Sequence, residues 1–252
     1  FILTFQLSYG QQLPLSITLL YEPDYITGDI LGNIYTIKGS DIQKYNDKGI
    51  LCCTYSDKTS GEITSIDVRD PLRILVFYKP FGTIKILDNK LGEQSIIELR
   101  KMQLTDPWMV CTSDIQGIWA YDNATSRLYR FDASMQPIGL SNDLRQDISR
   151  SINPEMMAES DYWLIIKDNN SLLVFDKMGS YFKPVPIEKG TAGLLLHDEW
   201  IYTSGNRLYK LNIRTGKVSD VALPADAAHK KITILPGKIV FQEGKTLDIY
   251  NN

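Results

Sequence analysis

Residues that carry chemistry are scarce in this chain. Its 252 residues include two histidines, His197 and His229, and three cysteines, Cys52, Cys53 and Cys111. There is no Cys-x-x-Cys pair, which excludes the usual zinc and dithiol motifs. Neighbours on a strand point to opposite faces, so Cys52 and Cys53 cannot both meet Cys111, and no disulfide framework is expected. All three are expected to be small buried apolar residues. Gly-x-Ser-x-Gly, His-Glu-x-x-His and phosphate-cradling glycine loops are also missing. His197 falls in Leu196-His197-Asp198-Glu199, which reads as a solvated turn rather than the setting of a general base. No catalytic set, metal site or cofactor is expected.

Two further absences narrow the class. Lys and Arg number 27 against 30 Asp and Glu, a net charge of -3, and they are scattered. Without a basic stripe the chain lacks the electrostatic footprint of a nucleic-acid binder. No apolar run is long enough to span a bilayer, although hydrophobic residues make up 43% of the chain and can fill a sizeable core.

What the chain does have is a repeat. Asn206-Arg207-Leu208-Tyr209-Lys210-Leu211-Asn212 has five relatives, beginning at Asp41, Gly82, Ser126, Asn170 and Lys245. Their anchors Ile42, Ile84, Leu128, Leu172, Leu208 and Leu247 lie 42, 44, 44, 36 and 39 residues apart. A second series of apolar runs lies just upstream of each, starting at Ile34, Ile74, Ile118, Tyr162, Trp200 and Lys238. Two motifs sharing one period of about forty residues predict a propeller with six blades. Each first motif closes on Asp or Asn and, at its clearest, a Gly follows, as in Asn46-Asp47-Lys48-Gly49 and Asp176-Lys177-Met178-Gly179. That is turn chemistry. Inner strands such as Ile63–Val68 and Trp108–Thr112 precede the second motif, so each blade reads as four antiparallel strands.

The last blade stops at Asn252, one strand short, while residues 13–20 precede the first inner strand without a blade of their own. The prediction is a ring closed by that N-terminal strand on blade six, which removes exposed sheet edges. Residues 12–252 then form one domain. Residues 1–11 open with the apolar Phe1-Ile2-Leu3-Thr4-Phe5-Gln6-Leu7 and continue through Ser8-Tyr9-Gly10, as the end of a secretory leader does. No Cys sits there to carry a lipid anchor.

The period fails in two places, and loops carry function more often than strands do. The first is the insertion between Gly139 and Asp161, expected to hold a short helical turn. Its candidate partner-binding residues are Asn142, Asp143, Arg145, Asp147, Met156 and Met157. The second is the link from blade five to six, with Asp226 and His229. Trp108, at a strand start after Asp106-Pro107, is a further surface candidate, whereas Trp119, Trp163 and Trp200 are expected to pack between blades. Asp29, Asp70, Asp114, Asp161 and Asp198 recur at one turn and are read as turn formers rather than calcium ligands.

Over residues 13–251 this architecture resembles the large superfamily of six-bladed propellers that includes TolB-like, NHL and lactonase-type domains. The resemblance lies in the blades and implies the fold, not a function. Lactonase-type members hold a central metal with Glu, Asp and Asn, and no residue here matches such a ligand. The expectation is a non-enzymatic scaffold of a bacterial cell envelope, exported and docked on a membrane-protein complex at the outer membrane. The rival expectations are a metal-dependent hydrolase with a central-channel site and a soluble binder of glycans or peptides.

Overall fold

The computed structural model describes residues 14–114, 116–187, 193–205, 207–223 and 230–251. The leader-like segment, Asp226 and His229 lie outside the described residues. The strands run in chain order as β1 (Leu15–Thr18), then blade one with β2 (Tyr25–Gly28), β3 (Ile34–Lys38), β4 (Asp41–Tyr45) and β5 (Leu51–Ser56). Blade two holds β6 (Ser65–Asp67), β7 (Ile74–Tyr78), β8 (Thr83–Leu87) and β9 (Glu93–Glu98). Blade three holds β10 (Pro107–Thr112), β11 (Ile118–Asp122), β12 (Arg127–Phe131) and β13 (Pro137–Leu140). After the five-residue helix α1 (Leu144–Ile148) comes blade four, β14 (Pro154–Glu159), β15 (Leu164–Asp168), β16 (Ser171–Phe175) and β17 (Tyr181–Pro186). Blade five is β18 (Gly193–Leu196), β19 (Glu199–Ser204), β20 (Arg207–Asn212) and β21 (Val218–Ala222). Blade six takes β22 (Lys231–Leu235), β23 (Lys238–Glu243) and β24 (Thr246–Asn251), and its fourth strand is β1.

The ring therefore closes as the repeat count requires. β1 pairs antiparallel with β24, Leu15 opposite Ile249 and Thr18 opposite Thr246. Ile17 and Leu19 are buried beside Leu247 and Ile249 and against Ile26, Ile34 and Tyr45 of blade one. Gly49 shows how tight this seam is. It sits at φ 75°, and a Cβ there would come within 2.4 Å of Ile17 Cγ2.

The core is not one mass but six clusters, one at each blade–blade interface. Trp119, Tyr121 and Phe175 join blades three and four, and Val174, Leu195 and Trp200 join blades four and five. The second-motif strands are buried on both faces, as the unbroken apolar runs predict. The recurrent Asp or Asn does the expected work. Asn46 Oδ1 accepts from the Lys48 and Ile50 N–H groups at 3.0 and 2.9 Å, and Asp88, Asp132, Asp176 and Asn212 cap the equivalent turns.

Two expectations need correction. Cys52 is exposed and Cys53 only half-buried, because both lie on the outer strand β5, whose far side faces solvent; Cys111 alone is buried. Tyr162 and Trp163 belong to the turn before β15 rather than to the strand, which begins at Leu164. Trp163 packs against the cluster between blades four and five as expected, and stacks on Phe182 at 5.4 Å; unlike Trp119 and Trp200 it is only partly buried.

Candidate functional site

Four alternating strands per blade divide the loops between two faces. Hairpins joining first to second and third to fourth strands share one, here the upper face. Hairpins joining second to third strands, and the links between blades, share the lower face. The six inner strands surround a central cavity of about 300 Å³ with mainly apolar walls, among them Ile66, Val68, Met109, Met156 and Ile234.

The upper end of this channel carries an ionic lattice between blades two, three and four. Arg69 follows the inner strand β6 and bonds Asp67 through both its Nε and an Nη, the Asp67–Arg69 ion pair measuring 2.8 Å. The same guanidinium donates to the carbonyl oxygen of Thr112 at 2.5 Å and to that of Glu159. One side chain thus ties blade two to blades three and four. Asp67 Oδ2 also accepts from the Thr112 N–H at 2.8 Å. Burial works to raise the Asp67 pKa, but the Arg69 charge and these hydrogen bonds outweigh it and hold the carboxyl below the usual range.

Glu159 is the second knot, with a side chain 2% exposed. Its carboxylate accepts from Trp119 Nε1 at 3.0 Å and from the Asp114 N–H at 2.6 Å, and stands 3.4 Å from Lys177 and 3.7 Å from Arg130. Asp114 in turn pairs with Arg130 and, at 3.0 Å, with Lys177. Burial opposes ionisation of Asp114, and Lys177 and Arg130 overcome it to lower its pKa. Between Asp70, Asp114, Glu159 and Asp161 lies an open polar cleft of about 270 Å³.

The upper face also carries more exposed large apolar side chains than the lower face among the described residues. Ile30, Leu31 and Ile50 of blade one, Leu72 of blade two, and Tyr162 and Met178 of blade four all lie on its turns, each half or more exposed. The lower face exposes only Leu20 and Phe81 among the described large hydrophobics; the remaining seven sit on outer strands. Exposed apolar side chains gathered on one face, rimmed by polar groups, mark interaction surfaces.

The sequence-selected residues lie mostly on the lower side. Asp143 caps α1 by accepting from the Arg145 N–H at 3.0 Å and pairs with the Arg145 guanidinium at 2.6 Å, so these two close on each other. Leu144 is fully buried and its N–H donates to Ser126 O, which ties the insertion down on blade three. Asn142 and Asp147 are exposed. Met157 is buried between blades three and four, and Met156 lines the channel. Trp108 donates to Pro154 O at 3.4 Å and lies beneath Lys79. Among the described residues, these candidates do not come together in one cleft.

Of the five recurrent aspartates, Asp29 and Asp70 accept from backbone N–H groups of their own turns, as turn formers do. Asp114, Asp161 and Asp198 instead bond the side chains of Arg130, His197 and Arg214. His197 and Asp161 form a 2.5 Å contact, but the imidazole is exposed and, among the described residues, no serine or cysteine hydrogen-bonds to it. Burial pushes the Cys111 thiol well above its ordinary value, which suppresses the nucleophilic thiolate. Among the described residues, no three His, Cys, Asp or Glu side chains converge as a metal site would require. None of the described helices is long and apolar enough to cross a membrane.

Neither a protein-family model nor a curated protein sequence matches the chain. Solved structures do match it in shape. A streptogramin B lyase superposes with TM-score 0.59 at 17% identity, over 95% of this chain and 86% of the other. Virginiamycin B lyase from Staphylococcus aureus gives 0.58 at 15%, over 94% and 87%. BBS1N, solved in complex with ARL6DN, gives 0.55 at 12%, over 90% and 76%. These likenesses establish the six-bladed propeller and, spanning lyases and a protein-binding propeller, do not choose between catalysis and docking.

Proposed function

We propose that this chain is a non-enzymatic docking subunit of a bacterial cell-envelope complex, binding a protein partner at the outer membrane through its upper face. The observation that carries the reading is the gathering of Ile30, Leu31, Ile50, Leu72, Tyr162 and Met178 on the turns of that face. The ion-pair lattice that ties blades two, three and four together supports it, since a preordered surface loses little freedom on association. The leader-like composition of Phe1–Leu7 and Ser8 supports the exported location. The lower-face residues Asn142, Asp143, Arg145, Asp147 and Trp108 are a secondary contact region in this reading, with Met156 and Met157 behind it; Asp226 and His229, outside the described residues, remain candidates from the sequence.

The test is purification from native membranes in mild detergent of the parent chain and of two variants. Leu31→Asp with Leu72→Asp should lose the partner that the parent retains, while Asn142→Ala with Arg145→Ala should keep most of it. Recovery of the parent propeller alone would overturn the proposal. Equal retention by all three chains would remove the upper face from it.

A further inference from the structure

We infer that the central cavity is a binding site for one small, uncharged, mostly apolar molecule that carries a hydroxyl group. The inference concerns the channel and does not depend on docking at the upper face.

Size and wall chemistry set the class. The cavity measures about 300 Å³ and is walled by residues from all six blades. That is about twice the apolar cavity of ~150 Å³ that takes up benzene, and it lies at the small end of the range for ligand pockets. A compact molecule of about ten to twelve non-hydrogen atoms matches it. Ile30 and Pro236, on the upper turns of blades one and six, line its upper end. Ile30 is exposed there, so the approach is apolar as well.

Charge accounting excludes an ion. The ionisable side chains on the wall are Asp67, Arg69 and Glu155. Asp67 and Arg69 pair with each other at 2.8 Å, and Glu155 pairs with Lys167, whose side chain is buried. A charged ligand would enter without a counter-charge or would break one of these pairs. Either is costly in a channel with apolar walls.

The uncharged polar groups are placed unevenly. Thr27, Ser65 and Thr233 line the half built by blades one, two and six, and among the described residues their hydroxyls have no hydrogen-bond partner. Met109, Met156 and Leu194 line the facing half, built by blades three, four and five. Serine and threonine hydroxyls both donate and accept, so they can hold a ligand hydroxyl. Methionine is flexible and polarisable and adapts to an apolar or aromatic body. A few polar groups set in an apolar wall are what orient a small ligand.

The probe is β-naphthol, titrated into the full chain with the methionine methyl groups followed by NMR. Naphthalene keeps the rings and drops the hydroxyl, while β-naphthoate and β-naphthylmethylammonium add a charge of either sign. β-Naphthol should shift the Met109 and Met156 methyls saturably and leave Met178, exposed on the upper face, unmoved. Thr27→Val with Thr233→Val keeps the branched shape and should weaken β-naphthol about tenfold, as loss of two hydrogen bonds predicts, without weakening naphthalene. Thr233→Val alone should weaken it about threefold and serves if the double variant folds poorly. No saturable shift at Met109 and Met156, equal shifts at Met178, or tighter binding of either charged analogue overturns the site. Equal affinity of the parent chain for naphthalene and β-naphthol overturns it too, because the hydroxyls would then select nothing.

Discussion

The two faces of this ring differ in how many blades their charges tie together. On the upper face ion pairs and hydrogen bonds leap between blades: Arg69 reaches residues 43 and 90 positions away, and Lys177 meets Asp114 at a separation of 63. On the lower face several close locally, as between Asp143 and Arg145 or Glu98 and Lys101, and those that cross blades, such as Lys85 with Asp57, join two blades rather than three. Local pairs on exposed side chains contribute little, because solvent screens them and two long side chains must be ordered. Pairs that are buried and shared by three blades fix the relative position of those blades. The difference teaches that the longest irregular segment is not where this propeller has concentrated its organised polar surface. The insertion lengthens the lower face, and Leu144 then folds it back onto the core.

Four experiments would break or sharpen that contrast. The largest effect should come from removing what both faces share. Deleting residues 14–20 removes β1 and exposes the seam that Ile17 and Leu19 bury, at a cost of at least about 4 kcal/mol, seen as a sharp fall in Tm. An unchanged melting point would mean that the ring does not depend on its closing strand. Next is Arg69→Leu, which strands Asp67 without its partner. A loss of about 3 kcal/mol is expected, read as a drop in Tm of roughly 6–12 °C. Arg145→Leu on the lower face should leave Tm where it was, and equal losses would erase the distinction.

Acid should act on the upper face first. The Asp67 and Asp114 pKa values lie below their unfolded values, so their contribution is full above about pH 4 and is lost as the pH falls through the folded values. Hydrogen-exchange protection at the Thr112 and Asp114 amides, which donate to Asp67 and Glu159, should decline in that range. The Leu144 amide, bonded to the Ser126 carbonyl, should keep its protection. Simultaneous loss at all three would show that acid unfolds the ring as a unit. The smallest effect is thermal: Leu31→Asp and Leu72→Asp replace exposed side chains and should shift stability by under about 0.5 kcal/mol. A larger loss would reveal those residues as part of the structure rather than of a contact surface.

The blades were legible because each is written in local terms. The anchors from Ile42 to Leu247 keep one period, and Asn46, Asp88, Asp132, Asp176 and Asn212 announce their own turns. Closure was legible too, since it follows from counting strands. The lattice was not, because its members lie about 45 positions apart, at the ends of three inner strands. Asp114 and Asp161 were noticed as repeats of a turn residue, yet nothing local says that they face a cleft. A signal did exist in Glu159, a carboxylate closing the apolar run Met156-Met157-Ala158. A charged residue at the end of a buried inner strand must find partners, and its spacing from Asp114 points to the neighbouring blade.

The seam between β1 and β24 also governs how the molecule comes into being. Ser16 bonds Asp248 across 232 residues of sequence, so blade six cannot be completed until β24 has left the ribosome. Blades one to five can assemble from neighbouring hairpins as they emerge, each with short-range contacts. The final step joins β1 to β24, with the highest contact order in the propeller and the slowest expected rate. Until then β1 and β24 remain open strand edges, so a stalled or truncated product would present two pairing surfaces to its neighbours in the cell.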